Sequence, residues 1–300
     1  MAEHEHHHGV TADTNVRRLL VALGLIVGLM AGEIVAGILA HSLALLSDAG
    51  HMLTDAGAIG LSLLALRLAG RPAGGNLTYG LKRTEILSAQ ANGAALLVLA
   101  VLVVYEAVRR LVSPPNVSGG TVLVVALVGI GVNLVATWQL AKANRENMAV
   151  EGSYQHILTD LYAFVGTAVA AGVILATGFD RADPIASLFV AALMLRAAYG
   201  LLKTSGRVLL EIAPAGMSVE QVGLVLAEHP HVSSVHDLHV WEIGSGFPAL
   251  SAHVLVHPGD DCHAIRRELE ATLHARFGID HTTLQVDHAD EERLLTIGRL

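Results

Sequence analysis

His51-Met-Leu-Thr-Asp55 and His156-Ile-Leu-Thr-Asp160 are near-identical pentapeptides, each set in an apolar stretch. In a helix, residues i and i+4 share one face a single turn apart. The spacing therefore predicts that His51 and Asp55 aim at a common centre, and that His156 and Asp160 do the same. Two imidazoles and two carboxylates supply four N/O ligands, a set suited to tetrahedral Zn²⁺. No thiolate or thioether is among the four, which argues against Cu(I), and a mixed imidazole set is too soft for Mg²⁺ or Ca²⁺. A charged side chain at mid-helix in a bilayer costs roughly 2.5–3.5 kcal/mol, so two such aspartates, each spaced from a histidine, need a reason to be there.

The surroundings of the pentapeptides are those of a membrane. The chain has 300 residues, 53% hydrophobic and only 15% charged, with mean hydropathy +0.54. Soluble domains spend about 25% of their residues on charge. Disorder is excluded by this apolarity, a nucleic-acid-binding surface by the net charge of −8, and a disulfide scaffold by the single cysteine, Cys262. Ile86–Tyr105, Thr121–Ala141 and Leu161–Phe179 carry no charge and approach or reach the roughly 20 residues that cross a hydrocarbon core. Leu19–Ala40 contains Glu33, Ser42–Leu66 contains Asp48, His51 and Asp55, and Pro184–Leu202 contains Arg196. The expectation is six transmembrane helices. Each pentapeptide then belongs to the middle span of a three-span half, so its two helices run antiparallel, as in transporters built from inverted repeats.

Lys and Arg fix the expected orientation. Ten flank one set of span ends, against only Arg109, Arg110 and Arg181 on the other, which places both termini in the cytoplasm of a multi-pass protein of the cell (inner) membrane. The N-terminus has no secretory pattern. Cys262 then lies in a reducing compartment.

The net charge is uneven. Residues 1–205 balance Lys+Arg against Asp+Glu, whereas residues 206–300 carry all of the −8 and ten of the 17 histidines. This divides the chain into a His-rich N-terminal tail (1–16), a transmembrane domain (17–205) and a cytosolic domain (206–300). In the last, Ser218–His229 and Asp261–Phe277 read as helices, while Val232–Ile243, Ala249–His257 and Thr282–Val286 read as strands. The order αββαβ predicts a small α+β sandwich. The Glu3-His-Glu-His-His-His8 run has a composition that captures metal, or it is a solvated tail.

The sequence resembles the cation diffusion facilitator (CDF) family, its bacterial zinc-efflux branch in particular. The resemblance rests on Ser42-Leu-Ala-Leu-Leu-Ser-Asp-Ala-Gly-His-Met-Leu-Thr-Asp55, Tyr79-Gly…Arg83-x-Glu85 and His156-Ile-Leu-Thr-Asp160. It continues through Val235-His-Asp-Leu-His-Val-Trp241 and Ser251-Ala-His-Val. It implies a homodimer that exports Zn²⁺ in exchange for protons, with His51, Asp55, His156 and Asp160 as transport site and a ferredoxin-like, metallochaperone-like cytosolic domain. His236, His253, His263 and Asp287 match positions that bind zinc at the dimer interface in some members, although Gln285 stands where some have another histidine. Residues 67–82 hold no His, Asp, Glu or Cys, so the second metal site of some members is not expected here.

Proton coupling follows from ligand chemistry as well. Metal ligation requires neutral histidine and ionised aspartate, so protons and metal compete for one site, and histidine titrates near neutrality. Cd²⁺, Co²⁺ and Ni²⁺ are compatible co-substrates. Two other readings are a membrane-anchored metal sensor and an intramembrane metal-dependent hydrolase. The one His-Glu-x-x-His match, His4-Glu-His-His-His8, lies in the N-terminal tail and in none of the six expected spans, which disfavours intramembrane hydrolysis and any enzymatic role.

Overall fold

A computed structural model describes residues 8–39, 43–113, 119–179 and 181–289. The chain divides into two units, 1–206 and 207–300.

The apolar runs of the first unit form six long helices: α1 (His8–Leu39), α2 (Leu43–Ala69), α3 (Thr84–Val112), α4 (Gly119–Ala141), α5 (Met148–Thr177) and α6 (Ala182–Leu209). Among the described residues, α1, α3, α4, α5 and α6 contain stretches long and apolar enough to cross a membrane. The sixth, α2, has 27 residues, and its polar half is the one that holds the first pentapeptide. The helices pack in two groups. Leu19, Ala22 and Ile26 of α1 interlock with Met52 and Ile59 of α2, Ala136 and Leu140 of α4, and Val150 and Ile157 of α5. Separately, Leu96 and Ala100 of α3 pack on Val190, Met194, Ala198 and Leu201 of α6. Outward, Val98, Leu102, Tyr105, Leu127 and Phe189 are exposed, the surface a lipid environment accommodates.

Helix α5 starts 13 residues ahead of the apolar run at Leu161 that marks it in the sequence. The connection from α4 is therefore only residues 142–147. Asn147 is the cap: its side-chain oxygen accepts from the Ala149 and Val150 amides at 3.0 and 3.3 Å. Arg145 then clamps Glu151 with two bonds of 2.7 and 3.1 Å and lies 3.8 Å over the Tyr154 ring. From α1, Asn15 accepts the Asn144 amide at 2.8 Å. These contacts fix the start of α5 two turns before its pentapeptide. Between α2 and α3, Gly80 has φ +70°, and a Cβ there would lie 2.9 Å from the Arg71 carbonyl oxygen, so the Tyr79-Gly80 turn needs glycine.

The second unit has the element order read from its alternation: α7 (Val219–Ala227), β1 (Val232–Gly244), β2 (Phe247–Val256), α8 (Cys262–Phe277) and β3 (His281–His288). Ser218 caps α7 by accepting the Gln221 amide, and Asp261 caps α8 by accepting the His263 and Ala264 amides. Those amides hold the Asp261 carboxyl below its ordinary range, the Ala264 bond most of all. The sheet order is β1-β2-β3, with β1–β2 antiparallel and β2–β3 parallel through the α8 crossover. Both helices lie on one face: Val222 and Leu226 of α7 and Ile265, Leu269 and Leu273 of α8 close over Leu250, Ala252, Val254 and Val256 of β2.

Candidate metal centre

Helices α2 and α5 bring the pentapeptides together. His156 Nε2 lies 2.8 Å from Asp55 Oδ1, and Asp160 completes a group whose ligand atoms all fall within 4.8 Å of one another. His156 is buried to 2% exposure, with Asp55 and Asp160 half-buried. Three of the four residues expected from the sequence thus converge on one point. His51 sits on α2 one turn before Asp55, but its side chain lies outside the described residues, as do those of Glu33 and Asp48.

The contacts also give the direction of the helices. Asp55 meets His156, and seven residues further along α2, Ser62 Oγ accepts from Ser153 Oγ at 2.8 Å, three residues earlier in α5. The two helices run antiparallel, as two three-span halves require. Ser62 is the hub of a buried polar cluster: Asn92 Nδ2 donates to it at 3.3 Å, and Ser88 Oγ lies 3.2 Å away. All four residues are at most 2% exposed, so α2, α3 and α5 are joined by hydroxyl and amide groups beside the ligands. Gly152 makes room for it, since a Cβ there would lie 3.0 Å from Asn92 Nδ2. Asn92 is the interhelical partner its position suggests. Asn133 instead donates to Gly129 O of its own helix.

The donors suit an exchangeable cation. The hydrogen bond between His156 Nε2 and Asp55 Oδ1 joins two atoms that a metal would take as donors, and His156 Nδ1 is buried without a hydrogen-bond partner among the described residues. Tetrahedral zinc with bonds of about 2.0 Å separates its N and O donors by roughly 3.3 Å. Loading the site would open the present 2.8 Å contact by about half an ångström and expel its proton. A cavity of about 430 Å³ runs between α3, α5 and α6. Glu151, Gln155 and Thr159 line it at four-residue intervals along α5, the last two adjoining His156 and Asp160 in sequence, and Arg196 of α6 faces it.

In the second unit, His236 and His253 are cross-strand partners with ring centroids 5.3 Å apart. Asp287 instead accepts from Gln285 Nε2 at 2.8 Å, and His263 sits in the capped first turn of α8. Among the described residues these four do not form a group of donors at ligating distance within one chain. What sequence reasoning missed here is Asp237. At the β1 bulge it takes φ +53° and lies 2.9 Å from His239 Nε2 and 3.8 Å from His253 Nε2. A break in the alternation of β1 at His236-Asp-Leu-His239 is its only trace in the sequence.

Comparison with known proteins places both units. The cation efflux transmembrane domain matches residues 19–210, and the cation efflux protein cytoplasmic domain matches residues 214–289. The zinc transporter ZitB of Escherichia coli is 39% identical over 290 residues, covering 95% of this chain and 92% of that protein. The cadmium, cobalt and zinc/H⁺-K⁺ antiporter of Bacillus velezensis is 37% identical over 289 residues, covering 95% and 92%. The cation efflux system protein CzcD of an Alcaligenes strain is 36% identical over 296 residues, covering 97% and 92%. With its apolar helices, its small αββαβ unit and matches over nearly its whole length, the chain belongs to the cation efflux family of multi-pass membrane transporters.

Proposed function

We propose that this protein exports Zn²⁺ from the cytoplasm in exchange for protons, binding the cation between α2 and α5 through His51, Asp55, His156 and Asp160. The observation that carries this reading is the convergence of Asp55, the buried His156 and Asp160 from the two helices that hold the repeated pentapeptides. Zinc transport and proton antiport in the relatives' names support it. The α2 helix is the sixth span, and the protein is a homodimer in the inner membrane with both termini in the cytoplasm; the match of its second unit to a dimerising cytoplasmic domain supports the dimer.

The exchange works at stated atoms. A cation reaching the site displaces the proton between His156 Nε2 and Asp55 Oδ1 and takes both donors. Protons arriving from the outside reclaim the imidazoles and carboxylates and release the metal, and their return inward resets the carrier. Cd²⁺ and Co²⁺, named for one relative, and Ni²⁺ compete for the same donors.

Purified protein in liposomes loaded with a zinc-sensitive dye should take up zinc under a pH gradient acid on the dye side. Asp160→Ala should stop the flux. Uptake that survives both Asp55→Ala and Asp160→Ala would remove the site from this role, and metal binding without flux would favour a sensor.

A further inference from the structure

We propose that the cavity between α3, α5 and α6 binds a fatty acid, its carboxylate held by Arg196 and its chain laid along α5 and α6. Arg196 stands at the middle of the 28-residue α6. A charged side chain at that depth of a span is costly, and it normally faces a partner or a cavity. Arg196 faces the cavity, and among the described residues it has neither a hydrogen bond nor an ion pair. The polar groups across from it are already engaged. Arg145 takes both carboxylate oxygens of Glu151, at 2.7 and 3.1 Å, and Gln155 Nε2 donates to the same carboxylate at 2.6 Å. Thr159 Oγ1 donates to the Gln155 carbonyl oxygen at 2.7 Å. The charge of the lining without a counter-ion among the described residues is therefore positive. Between apolar walls its pull on an anion exceeds the pull it has in water. It repels a bare divalent cation for the same reason, and none of Asp55, His156 and Asp160 lines the cavity.

Shape selects the class of anion. Along α5 the lining runs from Met148 to Tyr162, about 21 Å at 1.5 Å per residue. Helices α5 and α6 are joined by the short turn 178–181, so Leu193 and Arg196 stand with Tyr162 at the inner end and Thr204 with Met148 at the outer one. A volume of about 430 Å³ spread over that length is a slot, suited to a chain and not to a compact solute. Leu158, Leu193, Ala197 and Leu201 make its walls apolar. A carboxylate seated on the Arg196 guanidinium by paired bonds leaves its hydrocarbon chain to run back along these walls toward Met148. Gly200 lines the slot with open space at its Cβ position, which keeps the bore clear.

The full-length protein in phosphatidylcholine nanodiscs, with no metal added, is titrated with nitroxide-labelled stearic acid and followed by electron paramagnetic resonance. The expected result is a saturable immobilised component that palmitate displaces and methyl palmitate, which has no charge, does not. Arg196→Gln should weaken binding at least about tenfold, the loss expected for a bond to a charged group. Gly200→Phe should fill the slot and abolish the component. Neither change threatens the fold, since Arg196 makes no bond among the described residues and a Cβ at Gly200 meets nothing within 4 Å. A component that does not saturate, or that the methyl ester displaces equally well, is ordinary boundary lipid and overturns the proposal. A loss below tenfold in Arg196→Gln, or binding retained in Gly200→Phe, overturns it too. Zinc uptake is read separately, so the slot stands or falls without the metal centre.

Discussion

His156 Nε2 and Asp55 Oδ1 stand 2.8 Å apart, so the imidazole of the second pentapeptide is bonded to the carboxylate of the first. The bond crosses between the two halves of the membrane unit. Neither repeat holds this contact alone, and changes to either helix should be felt at the metal.

Asp55→Asn preserves size and a hydrogen-bonding group but removes the anionic donor. Second-shell changes alone cost 10–100-fold in metal affinity, so this first-shell change should weaken Zn²⁺ binding by about 100-fold or more. Calorimetric titration of the purified protein measures it. Affinity within threefold of the original would exclude Asp55 as a ligand.

Acidification should weaken binding. The metal-bound form requires deprotonated imidazole, so protons are released on loading and compete with it. Affinity should therefore fall as pH drops and recover as it rises. Each competing proton contributes about a tenfold loss per pH unit below its own titration point. Titrations between pH 5.5 and 8, repeated in buffers of different ionisation enthalpy, would count the released protons; a pH-independent affinity contradicts the exchange.

Ser62→Val should impair the site without touching a ligand. It strips the common partner from Asn92 Nδ2 and Ser153 Oγ, and a buried polar group left unmade costs about 1–3 kcal/mol. Gly152→Ala presses on the same cluster, since its Cβ would approach Asn92 Nδ2 to 3.0 Å. Both variants should lower thermal stability and maximal flux, while zinc still binds. Flux and melting temperature unchanged in both would show that the cluster is inert.

Asn147→Ala removes the cap of α5 and should cost about 1 kcal/mol, with Asn147→Ser recovering most of it. Thermal unfolding followed by circular dichroism distinguishes the three proteins. Equal stability of all three would mean that Arg145 and Asn15 secure the α5 start unaided.

The six helices and the antiparallel setting of the pentapeptides were legible because apolar runs and an i, i+4 spacing report directly on burial and helical face. The start of α5 was not. Glu151, Ser153, Tyr154 and Gln155 precede the apolar run, so hydropathy places the boundary near Leu161, whereas the Asn147 cap places it at Met148. Ser62, Ser88 and Ser153 were invisible for a related reason: a serine among alanines and leucines carries no periodic signal until a neighbouring helix supplies its partner. In the cytosolic unit, period-two alternation and two capping residues delivered the order αββαβ. The approach of Asp237 to His253 was hidden, because it needs the register of β1 on β2 at the bulge, which no local pattern encodes.

The antiparallel register of α2 and α5 has a mechanical meaning. Asp55 faces His156 at one level and Ser62 faces Ser153 at another, much as two graduated scales agree only at one setting. Sliding one helix by a single turn, about 5.4 Å, would carry every such pair out of coincidence at once. The coordination shell proposed for the cation would thus be a property of alignment between two rods, assembled or dissolved with no ligand changing its own rotamer.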